Sequence, residues 1–338
     1  MANIIFSEAS GVNESVYGMA QAPIQMMVQD YGQQCEKKSL LDKMFKMGKS
    51  ENAADLMTEM TAMEGFEPVG ENGEYPEDGT QEGEQKLIRY ETWKSQFSVS
   101  QEMMEDNKLV DLGDKPKQKI SSWYRTREEF GAAMYAGGIT GGNTMKFRGK
   151  AWDITGSDGK CVFHTGHKAL ISGKVQSNRF SNAFSADALD RAEAAMQQME
   201  GHNGELLGIQ PDTIMIANDP ALKRLVFSVI GADKDPATAN NGFNFQFGRW
   251  NILINPYLNK FIGSGVSPWI LLDDEWNQLF GGAVWNDRIA LTFNSYIDNK
   301  TDANVWAGRG RFNAVFKSFQ FACVGGITGG TDLTTLKI

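Results

Sequence analysis

Cysteine and histidine are both scarce in this chain of 338 residues, with three copies of each. Cys35, Cys161 and Cys323 are odd in number and far apart, which leaves no disulfide framework and fits a reducing compartment. No apolar run approaches the length of a membrane-spanning helix. The opening MANIIFSEAS has neither a basic leader nor a long apolar stretch, so no secretory signal is expected. The G-x-S-x-G, H-E-x-x-H and P-loop motifs are missing, which removes three common routes to hydrolytic or nucleotide chemistry. Positive charge is in deficit as well. Lys and Arg number 33 against 42 Asp and Glu, a net −9, which speaks against a sequence-reading nucleic-acid binder with a dominant basic face.

What is present is an ordinary globular composition, 41% hydrophobic and 22% charged, which argues against a wholly disordered chain. The length corresponds to about two domains or one large elaborated one. Charge is segregated. Residues 65–85 carry Glu67, Glu71, Glu74, Glu77, Asp78, Glu82 and Glu84 without a Lys or Arg, whereas residues 115–127 carry Lys115, Lys117, Lys119, Arg125 and Arg127 without an acid. Such separation suits contacts between subunits, where complementary patches select the partner. Two solvated faces that never meet are the alternative.

The first 50 residues hold Met19, Met26, Met27, Met44 and Met47 with a cluster of lysines. They read as an arm that needs something else to pack against, since methionine fills imperfect gaps. From Thr92 to Ser100 the alternation is clean, with Trp93, Phe97 and Val99 on one face, as in a half-buried strand. The segment from Asn52 to Phe66 alternates weakly. Between the two lies GENGEYPEDGTQEGE, too polar and glycine-rich to build a core. The expected result is a long two-stranded hairpin with an acidic tip, which is marginally stable without a neighbour.

Asp114 as N-cap, Pro116 in the first turn and Gly137-Gly138 at the end predict a long helix over 114–137. Ser185 is expected to cap a second helix, and Asp219-Pro220 to open a third that Gly231 stops. Strands are expected at Thr213–Ala217 and around Trp250–Ile254, Pro268–Leu272, Arg288–Phe293 and Asn313–Phe321. Helices and strands interleave without a regular β-α-β spacing, which favours α+β over a doubly wound sheet.

Candidate chemistry is thin. Cys161, His164 and His167 are zinc-ligand types, but a structural site needs four ligands and no fourth is near in sequence. No metal is expected there. GGITGG occurs at Gly137–Gly142 and Gly325–Gly330; neither copy leads from a strand into a helix, so both read as turns rather than phosphate cradles. Asp273, Asp274 and Glu275 are adjacent and read as a surface turn. No catalytic residue, cofactor or metal site is assigned.

The acidic hairpin (GFEPVGENGEYPEDGTQEGEQK), the alternating strand (ETWKSQFSVSQEMMED), the helix ending in REEFGAAMYAGG, the segment DGKCVFHTGH and the unit PDTIMIANDPALKRLVFSVI follow one another in an order that resembles the major capsid protein of tailed bacteriophages, the Hong Kong 97 fold. The resemblance spans roughly residues 50 to 325. It implies an N-terminal arm over 1–50, an extended loop over 51–100, a peripheral domain over 101–200 and 301–338 that contains the spine helix, and an axial domain over 201–300. It also implies self-assembly as hexamers and pentamers into an icosahedral virion shell around double-stranded DNA, built in the host cytoplasm with no membrane. Partners would be the portal and scaffold or decoration proteins. Some members begin with a long cleaved scaffolding segment; with about 50 residues before the hairpin, none of that size is expected. Some crosslink through a lysine on the loop, but the tip has none and Lys86 stands at its base. An encapsulin-like compartment and, more remotely, a metal enzyme using Cys161, His164 and His167 are the alternatives.

Overall fold

The computed structural model describes residues 5–6, 29–60, 63, 66, 68–71, 74–75, 77, 82–102, 109–231, 244–263 and 265–336. Two sheets and one long helix organise them. The first sheet contains β1 (Ile5–Phe6), β2 (Lys46–Lys49), β5 (Glu91–Val99), β13 (Ala283–Asp298) and β14 (Ala303–Phe316). β13 and β14 form an antiparallel hairpin, β5 runs antiparallel along β14, and β1 and β2 run parallel to β13.

The helix, Leu109–Thr140, spans 32 residues, roughly 48 Å at 1.5 Å per residue. It begins earlier than the sequence predicts, so Asp114 is not its cap and Pro116 lies inside it. Gly137 and Gly138 do not end it either. A Cβ on Gly137 would come within 2.5 Å of Ile154 Cδ1, and one on Gly138 within 2.7 Å of Val162 Cγ1. These glycines let the helix lie close to the segment that follows it. The turn comes at Gly141, whose φ is +78°.

Phe130 and Trp123 bring the helix onto the first sheet, where Trp93, Trp285 and Phe312 meet them, and Trp152 of the separate strand Lys150–Asp153 packs against Phe130 and Trp93. The arm is fastened to the same helix. Glu128 Oε1 accepts from Ser39 Oγ at 2.5 Å and from the Leu40 amide at 3.0 Å, and the Tyr135 hydroxyl donates to Met44 O. Leu41, Met44 and Phe45 are fully buried there.

The second sheet has the order β11 (Asn251–Asn255), β10 (Thr213–Ala217), β12 (Trp269–Leu272), β15 (Ala322–Gly325). Two helices pack on it, and both start at the caps that the sequence predicts. Ser185 accepts from the Ala188 amide ahead of Ala186–Gln197, and Asp219 accepts from the Ala221 amide ahead of Pro220–Ile230. Leu189, Ala192 and Met196 of the first and Leu222 and Val226 of the second are buried in one cluster with Ile214 and Trp269.

Two expectations about strands are corrected. β13 and β14 are far longer than the short strands predicted around 288–293 and 313–321. And the return strand of the acidic hairpin is β4 (Glu82–Arg89), paired with β3 (Ala54–Met60). The clean alternating segment is β5, which belongs to the first sheet because Trp93 finds its apolar partners there.

Candidate functional site

On the β3–β4 hairpin, Asp55 faces Ile88 and Met57 faces Lys86 on the inner side, while Leu56 and Leu87 face each other on the outer side, 57% and 46% exposed. Lys86 is buried and donates to Asp153 Oδ2 and Thr155 Oγ1, both at 2.7 Å, so this lysine anchors the hairpin base. Beyond the strands, Glu71, Glu74 and Glu77 are exposed, as is Glu82 at the start of β4. Glu67 and Asp78 lie outside the described residues. Phe66 and Tyr75 are almost wholly exposed in this acidic setting.

Glu84 is set apart from the other acids. It lies near the loop end of the β3–β4 ladder with Oε2 buried and without a hydrogen bond. Burial, with Asp158 and Glu59 adding to it, pushes its carboxyl above the usual range.

The basic residues at the start of the long helix line an open groove of about 790 Å³. Lys115, Lys117, Lys119 and Arg125 share it with Tyr31 and Phe97, and among the described residues no acid lines it. β5 holds the lysines in place: Lys115 Nζ donates to Ser98 O, and Lys119 Nζ donates to Ser95 Oγ and Gln96 O. Burial lowers the Lys119 ammonium below its ordinary value.

Cys161, His164 and His167 point to different partners. Cys161 Sγ donates to Gly138 O, His164 Nδ1 accepts from the Gly166 amide, and His167 Nδ1 lies 2.6 Å from Asp158 Oδ2 while its ring stacks on Phe319. Among the described residues no group of His, Cys, Asp and Glu is arranged to hold a metal. Asp273 caps the helix Asp274–Phe280, accepting from the Trp276 and Gln210 amides, both at 2.7 Å. The Gly325–Gly330 copy of GGITGG forms turns, with Gly326 and Gly329 at φ of +77° and +79°.

Sequence reasoning missed one constellation entirely. Glu59, Glu84, Asp158, His167, His202 and Lys317 converge under the hairpin, although they are spread over most of the chain and no local spacing announces them.

The arrangement of arm, projecting hairpin, long helix and two sheets is that of the Hong Kong 97 shell fold. The mature capsid of bacteriophage PhiM1 superposes with a TM-score of 0.50 at 8% identity, over 84% of this chain and 85% of that one. The procapsid of bacteriophage JBD30 gives 0.49 at 13% identity over 93% and 75%, and a virus-like particle from Pyrococcus furiosus 0.47 at 11% over 90% and 97%. No curated protein matches the sequence significantly. Residues 83–324 match the family described as phage capsid protein, and the chain belongs to that family. It is a major capsid protein, a structural component of the virion shell and not an enzyme.

Proposed function

We propose that the acidic hairpin tip of one subunit docks in the basic groove of its neighbour during shell assembly. The observation that carries this reading is complementarity: an exposed acidic tip with bare Phe66 and Tyr75, and an open groove in which lysines surround Tyr31 and Phe97. Glu71, Glu74, Glu77 and Glu82, with Glu67 and Asp78, would face Lys115, Lys117 and Lys119. Glu84 would stay near the loop end of the ladder. A single exposed ion pair contributes only about 0–1 kcal/mol, but a closed shell repeats the contact at every subunit and keeps each one reversible enough to correct errors.

In this reading residues 1–50 are the arm, the extended loop starts at 51, the peripheral domain comprises 101–200 and 301–338, and the axial domain comprises 201–300. β5 and β13, which fall outside the peripheral ranges, go with the peripheral sheet in which both pair with β14. Subunits form hexamers and pentamers of an icosahedral shell around double-stranded DNA, assembled in the host cytoplasm, with a portal and scaffold or decoration proteins as further partners.

The test is charge reversal. Lys115→Glu, Lys117→Glu and Lys119→Glu together should impair particle formation, scored by electron microscopy and light scattering. Reversing Glu71, Glu74 and Glu77 to Lys in the same chain should partly restore it. If the combined variant is no better than either parent, the two patches do not meet.

A further inference from the structure

The constellation beneath the hairpin has features that packing alone does not account for. His202 is 5% exposed and His167 is fully buried, yet both carry an Nε2 without a hydrogen bond, as does Glu84 through Oε2. The space among them is about 10 Å³, at the lower limit for one water molecule. Charges here cannot be hydrated well, so their protonation decides how well the elements fit together.

Each element that meets at this point brings a titratable group. β3 supplies Glu59 and β4 supplies Glu84. The turn after β7 (Lys150–Asp153) supplies Asp158 and Lys160, and β8 (His167–Lys168) supplies His167 and Lys168. Lys317 follows β14. Lys160 Nζ and Lys317 Nζ donate to Gly166 O and Phe280 O, so both are partly engaged elsewhere. The nearby pair Lys174–Glu200 is closed on itself. Three carboxylates therefore share a nearly dry space with two imidazoles.

His202 joins the hairpin to the body. Its Nε2 lies 3.4 Å from Glu59 Oε2, an ion-pair separation rather than an aligned hydrogen bond. Its Nδ1 accepts the Leu170 amide proton at 3.1 Å, so the neutral ring carries its hydrogen on Nε2, toward Glu59. Taking up a second proton would place it on Nδ1, releasing the Leu170 amide and giving the ring a full charge to set against Glu59. Leu170 is exposed, so water can take over that amide. Glu59 is held from the other side by Ser157 Oγ at 3.0 Å.

We propose that the loop end of the β3–β4 ladder is a proton-operated latch: protons on His202 and Glu84 hold the hairpin against the body, and their loss as pH rises loosens it. This goes beyond the docking reading and holds whether or not the tip crosses a subunit boundary. The sign follows from linkage. Glu59, against the opposing effect of burial and with Glu84 and Asp158 behind it, raises His202 above its ordinary value; burial raises Glu84. A group raised in the closed state favours closure fully below its free value, near 6.5 for His and 4.5 for Glu. That contribution is lost as pH climbs through the raised value. Both groups push the same way.

Hydrogen–deuterium exchange of the full chain from about pH 4 to pH 8, which spans the ordinary carboxylate and imidazole ranges and the region above each, tests this, with rates corrected for chemical exchange and referred to β10 and β12. Protection over 54–60 and 82–89 should fall by up to about tenfold per pH unit for each proton released, with the reference strands unchanged. Glu84→Gln should keep the hairpin protected at the higher pH, and His202→Gln should flatten the response. The proposal is overturned if hairpin protection in the wild-type chain does not change relative to the reference, or if both variants retain the full response. Should a variant leave β10 and β12 unprotected, the wild-type chain and Glu59→Gln are compared by C2–H exchange of His202. A midpoint that does not drop in Glu59→Gln overturns the latch.

Discussion

The indole of Trp93 lies flat on the ring of Phe312, centroids 4.9 Å apart and planes 4° apart. The contact reinforces the ladder and the Phe97–Trp306 stack that join β5 to β14, and Trp152 stacks on the same indole with centroids 5.5 Å apart. Trp93→Ala should lower stability by about 3 kcal/mol, within the usual cost of deleting a large aromatic from a packed site. Trp93→Phe should cost less than half of that. Denaturant midpoints of the unassembled subunit measure both, and equal losses would show that the area of the ring is not what matters.

Gly131 of the long helix faces the arm, and a Cβ there would come within 2.6 Å of Leu41 Cδ2 and 3.1 Å of Phe45 Cε2. Helix propensity favours Ala over Gly by about 1 kcal/mol, while overpacking costs about 1–3 kcal/mol. Gly131→Ala should therefore destabilise on balance and expose the arm near Lys38 to trypsin sooner. A thermally stabilised variant with an unchanged digest would mean that Leu41 and Phe45 yield freely.

Burial pushes all three thiols up, but Cys35 is only half-buried whereas Cys161 and Cys323 are buried. The thiolate is the reactive form. In native protein at neutral pH, a chromogenic disulfide reagent should find Cys35 first, and the two others only after denaturant is added. Rapid labelling of Cys323 in native protein would contradict its place in β15.

If the tip and groove are joined by charge, assembly should weaken with ionic strength. The screening length falls from about 10 Å at 0.1 M to about 3 Å at 1 M. Particle yield at fixed protein concentration should drop over that range in the wild-type chain and be flatter in the Lys115, Lys117, Lys119 reversal. A yield that rises with salt in the wild type would point to apolar surfaces such as Phe66 and Tyr75 as the main glue.

Local signals carried much of the fold. Ser185, Asp219 and Gly231 bound their helices because a cap needs only neighbours within a turn. The alternation of Trp93, Phe97 and Val99 marked β5, but its partner lies more than 200 residues away, and nearest-neighbour reasoning attached it to the wrong hairpin. The reach of β13 was hidden by register shifts between Asp287, Ile289 and Thr292, which break the period of two. In β14, Gly308 and Gly310 sit under Phe293 and Trp123 where apolar residues would have advertised a strand. The cluster around His202 was illegible for a different reason: its members are brought together only by tertiary packing, from Glu59 to Lys317. The acidic and basic patches were plain in composition, yet Glu84 separates from the rest only once its burial is known.

β2 near the beginning of the chain and β5 both belong to a sheet completed by β13 and β14. During synthesis, therefore, the sheet cannot close until residues 303–316 have left the ribosome. Long-range pairing of this kind folds slowly. Until it is complete, the long helix has no finished surface beneath Trp123 and Phe130, and the groove at its start has no β5 fixed beside it. If that groove receives a neighbour's tip as proposed, a chain still being translated cannot yet take one up.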